Sequence, residues 1–159
     1  MSDSSPTICT LLFLVRPGEI LLAMKKRGFG KGLWNGVGGK IEPGESIEQA
    51  MMRECEEEIG VRPAVFTKVA IHEFVYQSSD KPVIVHAYLC TEWAGEPHET
   101  EEMAPQWFKQ SLIPYSAMWE DDQYWLPRVL DGQLLQTRFV FTDDEVLLDK
   151  HITSVELLN

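Results

Sequence analysis

The sequence predicts an α+β fold, a mixed β-sheet sandwiched between α-helices, in a single domain spanning 1–159. Three observations carry that prediction. Short apolar runs closed by turn residues recur along the chain, as strands do. Two stretches, 46–59 and 121–130, carry capping residues or helical periodicity instead. Strands and helices are interleaved, with no internal repeat, low-complexity tract or long linker to separate them. The 159 residues, 44% apolar and 25% charged, suffice for one buried core.

The elements follow in order. Ile8 to Val15 (ICTLLFLV) reads as a buried strand, and Arg16-Pro17-Gly18-Glu19 turns it into a second, Ile20 to Lys25. Gly28 to Gly44 holds seven of the 11 glycines. Ser46 to Ile59 is a helix, opened by a capping box of Ser46 and Gln49 and closed by Gly60. Val65 to Val75 and Val83 to Thr91 are strands joined by the polar loop Gln77 to Pro82, and Gln106 to Phe108 adds a short one. Asp121 to Leu130 is a second helix, bent or delayed by Pro127. Phe139 to Phe141 and Val146 to Ile152 close the sheet.

Composition excludes several functions. A net charge of −11 and a pI near 4.7 repel a polyphosphate backbone, so no nucleic acid is expected as partner. A small anionic substrate needs a metal ion or a local basic patch. Lys25, Lys26, Arg27, Lys31 and Lys40 supply such a patch, five of the 14 basic residues. Cys9, Cys55 and Cys90 lie among apolar residues without a CxxC pair, as reduced thiols of a cytoplasmic protein do. The four scattered histidines lack zinc spacing. The polar start MSDSSP has no signal core, and Ile8 to Val15 is far too short to cross a bilayer, so no membrane is expected.

The strongest chemical signal is Gly39-Lys-Ile-Glu-Pro-Gly-Glu45 followed by Arg53-Glu-Cys-Glu-Glu-Glu-Ile-Gly-Val61. At 3.6 residues per turn, Glu54, Glu57 and Glu58 share an arc of roughly 100°, and Glu56 points away. Ile47, Met51, Cys55 and Ile59 form the packing stripe. Like charges at i and i+4 destabilise a helix, so a compensating charge is expected. Hard divalent cations take oxygen ligands, and are typically shared between carboxylates and substrate phosphates. Arg53, four residues before Glu57, can hold that carboxylate in position. An acidic run by itself reads more simply as a solvated helix face. The full spacing Gly39-x5-Glu45-x7-Arg53-Glu54-x-x-Glu57-Glu58-x-Gly60, however, matches by chance only about once in 10⁸ windows.

That spacing is a nudix box (39–61), and the chain resembles the nudix hydrolase family along essentially its full length. The one departure in the box is Cys55, where the family usually has a larger aliphatic residue. The resemblance extends to hydrolases of oxidised purine nucleoside triphosphates, of MutT-homologue type. It rests on Met24 to Gly30, Trp34 to Lys40, Glu102-Met103, Trp107-Phe108 and Met118 to Trp125. It implies the nudix fold and a Mg²⁺-dependent (or Mn²⁺-dependent) attack of water on a purine nucleoside triphosphate, leaving the monophosphate and pyrophosphate. A monomer acting in nucleotide-pool sanitation is the accompanying expectation. The alternative is a nudix hydrolase of another nucleoside diphosphate derivative, such as ADP-ribose or a dinucleoside polyphosphate.

Carried over residue by residue, the resemblance places metal ligands at Glu54, Glu57, Glu58, the carbonyl of Gly38 and Glu102. Glu58 is favoured as the group that takes the proton from water, and Arg53 completes the catalytic set. Glu102 also belongs to the acidic run Glu99 to Glu102, which reads equally as a solvated loop. Trp119, Asp121 and Asp122 would read the base, the indole by stacking and the carboxyls by hydrogen bonds. Adjacent carboxyls can share a proton, so the pair can both donate and accept. An Asp-Asp pair at a helix start also serves simply as charge at the dipole. Thr10, Lys25, Asn35, Gly38, Gly39 and Lys40 complete the expected substrate contacts. Val37 and Glu120, where the subfamily has an aromatic residue and a proline, flank the expected pocket. Trp107 and Trp125 are assigned to the core.

Overall fold

The computed structural model describes residues 5–159, so the reading of the polar start falls, for residues 1–4, outside the described residues. Eight strands and two α-helices follow in the order β1 (Thr7–Arg16), β2 (Glu19–Lys25), β3 (Trp34–Asn35), α1 (Ile47–Ile59), β4 (Arg62–Tyr76), β5 (Val83–Ala94), β6 (Met103–Lys109), α2 (Asp122–Leu130), β7 (Leu134–Phe141) and β8 (Leu147–Val155). Single 3₁₀ turns at Gln110–Leu112 and Tyr115–Ala117 lead into α2.

The sheet runs β3-β2-β1-β5-β4-β7-β8, with β6 added beside β2. It is mixed, as expected. β1 pairs parallel with β5, Cys9 opposite Val85 and Phe13 opposite Leu89, and β4 pairs parallel with β7. The other pairings are antiparallel. Alternation along the strands sends side chains to two cores, one on each face. Leu12, Leu14, Tyr88 and Cys90 pack against Met51, Cys55 and Ile59 of α1. Phe13, Ala70, Ala87 and Phe139 pack against Trp125, Leu126 and Val129 of α2. The helices therefore cover opposite faces of the sheet.

Helix α1 begins and ends where its residues dictate. The Ser46 N–H donates to Gln49 Oε1 (2.8 Å) and the Gln49 N–H to Ser46 Oγ (3.1 Å), which satisfies two amides that lack intrahelical partners. Gly60 ends it at φ 73°, its N–H donating to Glu56 O. In α2, Pro127 does not delay the helix, which runs through it from Asp122 to Leu130. Proline at the sixth helical position removes an N–H that would bond the carbonyl of residue 123, and Gln123 lies in the first turn.

Candidate active site

Residues 36–41 run beside β1 and form the floor on which the acidic helix face rests. The Leu12 N–H bonds Val37 O (2.7 Å), the Val37 N–H bonds Leu12 O (2.9 Å) and the Thr10 N–H bonds Gly39 O (2.9 Å). The approach is so close that a Cβ on Gly38 would lie 1.9 Å from the Thr10 carbonyl oxygen, and one on Gly39 would lie 2.7 Å from Glu54 Oε1. Gly38 therefore has no room for a side chain against the β1 backbone, whereas a side chain at Gly39 would have to displace the Glu54 carboxylate.

Arg53 organises those carboxylates. Its Nε and Nη2 donate to the two Glu45 oxygens (2.7 and 3.0 Å), Nη1 to Glu54 Oε1 (2.9 Å) and, more loosely, to Glu57 Oε2 (3.4 Å). The fork holds Glu45 below its usual pKa, and the carboxylates hold the guanidinium well above its own. Arg53 does meet Glu57, but its principal anchor is Glu45, eight residues back. Glu56 points away, toward Arg62.

Glu58 has no such partner. It is 5% exposed, one oxygen is 3.4 Å from the Gly38 N–H and the other, Oε2, is buried with no hydrogen-bond partner. Burial first, and the neighbouring Glu54 carboxyl next, push it up to about 8. Lys25 opposes that shift. Two carboxyls in contact inside a protein repel unless a proton or a cation lies between them.

The site is not assembled as a three-carboxylate cage. Among the described residues no three Asp, Glu, His or Cys side chains converge on one point. Glu57 is exposed and Glu102 is held by Arg27, whose Nη2 donates to it at 2.5 Å. The donor set still fits a hard divalent cation: Glu54 and Glu58 offer oxygens in contact, one of them orphaned, with Glu57 one turn away.

From Gly38 and Gly39 a cavity of about 240 Å³ runs over the α2 face of the sheet to Asp121 and Asp122. Both aspartates are 2% exposed. The Trp125 indole N–H donates to Asp121 Oδ2 (2.9 Å), and one Asp122 oxygen is buried without a partner. Burial raises both carboxyls, most strongly Asp122, and the two neighbours act on one another. Trp119 stands on Phe29, ring centroids 5.0 Å apart, along the same cavity.

Behind the aspartates is a layer that sequence reading missed. The His72 ring lies 4.2 Å from that of Trp125, and its Nδ1 pairs with Thr137 Oγ1 at 2.6 Å. Burial lowers His72 to about 3, so it is neutral. Trp125 is core, as assigned, but it also lines the cavity and fixes Asp121. The only sequence signal for this was its spacing, four residues after Asp121.

The remaining expected residues divide. Thr10, Lys25, Asn35, Gly38 and Gly39 line the cavity, and the Gly36 N–H engages Asn35 Oδ1 (2.8 Å), leaving the Asn35 amide NH₂ as the donor end. Val37 does not line it. It is 3% exposed and packs in the core under α1. Glu120 does not line it either, because its carboxylate accepts the Leu147 N–H at the start of β8 (2.8 Å). Lys40 is exposed and contributes its carbonyl to Arg53 Nη2 (3.2 Å). The basic patch is largely spent: Lys26 bonds Glu99 and the Thr100 carbonyl, and Arg27 bonds Glu102. Lys25 is the one cation of that patch in the cavity wall among the described residues.

The chain is similar to known proteins over most of its length. The model of the NUDIX domain matches residues 6–129. An oxidized purine nucleoside triphosphate hydrolase of Danio rerio is 41% identical, over 94% of this chain and 96% of that one. One of Mus musculus is 39% identical, over 96% and 98%. A solved MutT protein from Bacillus halodurans superposes with a TM-score of 0.82 at 28% identity, covering 92% of this chain and 97% of that one.

Proposed function

The chain belongs to the NUDIX family, and from that premise we propose that it hydrolyses oxidised purine nucleoside triphosphates, such as 8-oxo-dGTP and 2-oxo-dATP, to the monophosphate and pyrophosphate. One observation carries the reading. A single cavity has a buried pair of adjacent aspartates at one end and, at the other, the glycine backbone against which Glu54 and Glu58 rest. That is the arrangement needed to read a base and cut its phosphate chain in one binding event.

Trp119 and Phe29 supply flat apolar surface for the purine. Asp121 and Asp122 address its edge with one donor and several acceptors, which suits both oxidised guanine and oxidised adenine. Lys25 draws the phosphates toward the α1 end. Glu54, Glu57, Glu58, the Gly38 carbonyl and Glu102 would hold the divalent ions that nudix hydrolases generally use, with Mg²⁺ preferred and Mn²⁺ tolerated. When bound there, such ions would polarise the phosphoryl oxygens and neutralise their charge. Glu58 accepts the proton of the attacking water through its unpartnered oxygen. Arg53 orients Glu54 and keeps Glu45 ionised.

We read the chain as a single domain and a monomer. Free Cys9, Cys55 and Cys90 suit the cytoplasm, and no helix among the described residues is long and apolar enough to cross a membrane. The test is turnover of 8-oxo-dGTP, dGTP and ADP-ribose with Mg²⁺ under identical conditions. The reading expects 8-oxo-dGTP to have the highest kcat/KM and to yield pyrophosphate. Faster cleavage of ADP-ribose would overturn the substrate assignment.

A further inference from the structure

The base end of the cavity is closed by the last residues of two parallel strands, Tyr76 of β4 and Phe141 of β7, which are register partners. Their rings stack with centroids 5.9 Å apart and planes 24° from parallel. Phe74, two residues earlier on the same face, stacks in the same way on Phe139. Tyr76 differs from these neighbours by its hydroxyl. It is half-buried, lines the cavity and has no hydrogen-bond partner for that hydroxyl among the described residues. Its electrostatic neighbours are Asp121 and Cys9, also in the cavity wall, and Glu145. Burial first and those acidic groups next raise its pKa, so the phenol keeps its proton and remains a donor.

A tyrosine on a cavity wall offers its O–H to a bound molecule. Asp121 acts on the phenol electrostatically, and its Oδ2 already accepts the Trp125 N–H. The donor thus belongs to the wall of the space that a bound base would fill. Resting on the function proposed above, we propose that Tyr76 is a specificity-determining residue whose O–H donates to a carbonyl oxygen or ring nitrogen on the purine edge, beside the Asp121–Asp122 pair. It gives the pocket a fixed donor in addition to the mobile proton of the aspartates. A site built to hydrogen-bond a polar substituent rejects analogues lacking it far better than apolar contact does.

Tyr76→Phe tests this, because it keeps the ring and its stack on Phe141 and removes only the oxygen. Titration calorimetry with 8-oxo-dGMP and dGMP would be run on the native chain and the variant, with KM and kcat for 8-oxo-dGTP alongside. One neutral hydrogen bond predicts an 8-oxo-dGMP affinity about 3- to 10-fold weaker in the variant. The same factor is expected in KM rather than kcat, with an unchanged melting temperature. Equal affinity in the two chains, or a lower melting temperature without loss of affinity, overturns the proposal and leaves the substrate reading intact. A native chain that binds 8-oxo-dGMP no better than dGMP removes both.

Discussion

A carboxyl group buried against another carboxyl ionises only at a cost to the fold, and Glu58 is in that position. Its pKa rises from 4.5 to about 8 on folding, so its contribution to stability is fully present below 4.5 and is lost as pH rises through about 8. In EDTA, the melting temperature of the native chain minus that of Glu58→Gln should therefore fall from about pH 5 to about pH 9. A flat difference would show that Glu58 is solvated. The same substitution removes the proton acceptor, and kcat should drop by about 10²- to 10⁴-fold with a smaller change in KM. The carboxylates of the site were legible in the sequence because their spacing is helical and the box is long. Arg53's grip on Glu45 and the inward turn of Glu58 were less so. Glu57 and Glu58 are adjacent and both acidic, and only the closeness of the Gly38 backbone separates a buried role from an exposed one. Trp125 reads as a core residue and His72 only as one of four scattered histidines, because the role they share behind the pocket is made by contacts across the fold.

The two helices were legible for different reasons. Helix α1 announces itself through its cap residues, and Ser46→Ala should cost about 0.5–2 kcal/mol in urea unfolding with an unchanged m-value. No loss would mean that the Ser46 Oγ bond is replaced by water. Strand ends were less legible: β7 begins at Leu134, five residues before the expected Phe139, and β6 extends from Met103. Hydrogen-bonded neighbours supply that regularity, and periodicity over so few residues does not display it. The loop before α2 carries Trp119 and is tied to β8 by Glu120. Lys150 of β8, above the Tyr124 ring at 4.5 Å, reinforces the tie. Glu120→Ala frees the Leu147 N–H and loosens the loop. KM for 8-oxo-dGTP should rise several-fold while kcat changes little, and Glu120→Gln, which keeps an acceptor, should lie between. If all three chains share one KM, the tie does not shape the pocket.

Across the whole molecule, 25 acidic residues against 14 basic ones make a divalent cation a natural stabiliser of the fold. At a hundred times its dissociation constant, Mg²⁺ should add about 2.7 kcal/mol, or roughly 5–10 °C in melting temperature for a domain of this size. The gain should shrink in Glu58→Gln. An equal gain in both chains would place the ion elsewhere. The sandwich architecture was legible from the ordering of apolar runs and helices, yet the parallel partners were not. No local signal reports that β1 lies beside β5, or β4 beside β7. The basic patch misled for a related reason: Lys26 and Arg27 are close in sequence to Lys25, but the loop at 99–102 claims them.

The parallel union of β1 with β5 also orders events during synthesis. Thr7 waits for Val83 and Leu14 for Cys90, so the middle of the sheet cannot zip until the ribosome has delivered more than half of the polypeptide. At about 5–20 residues per second, the nascent N-terminal half carries α1 for several seconds with only part of the sheet beneath it. A message truncated before β5 would release a glutamate-rich helix whose apolar stripe lacks Tyr88 and Cys90 to rest on, a product fit for the protease rather than for catalysis.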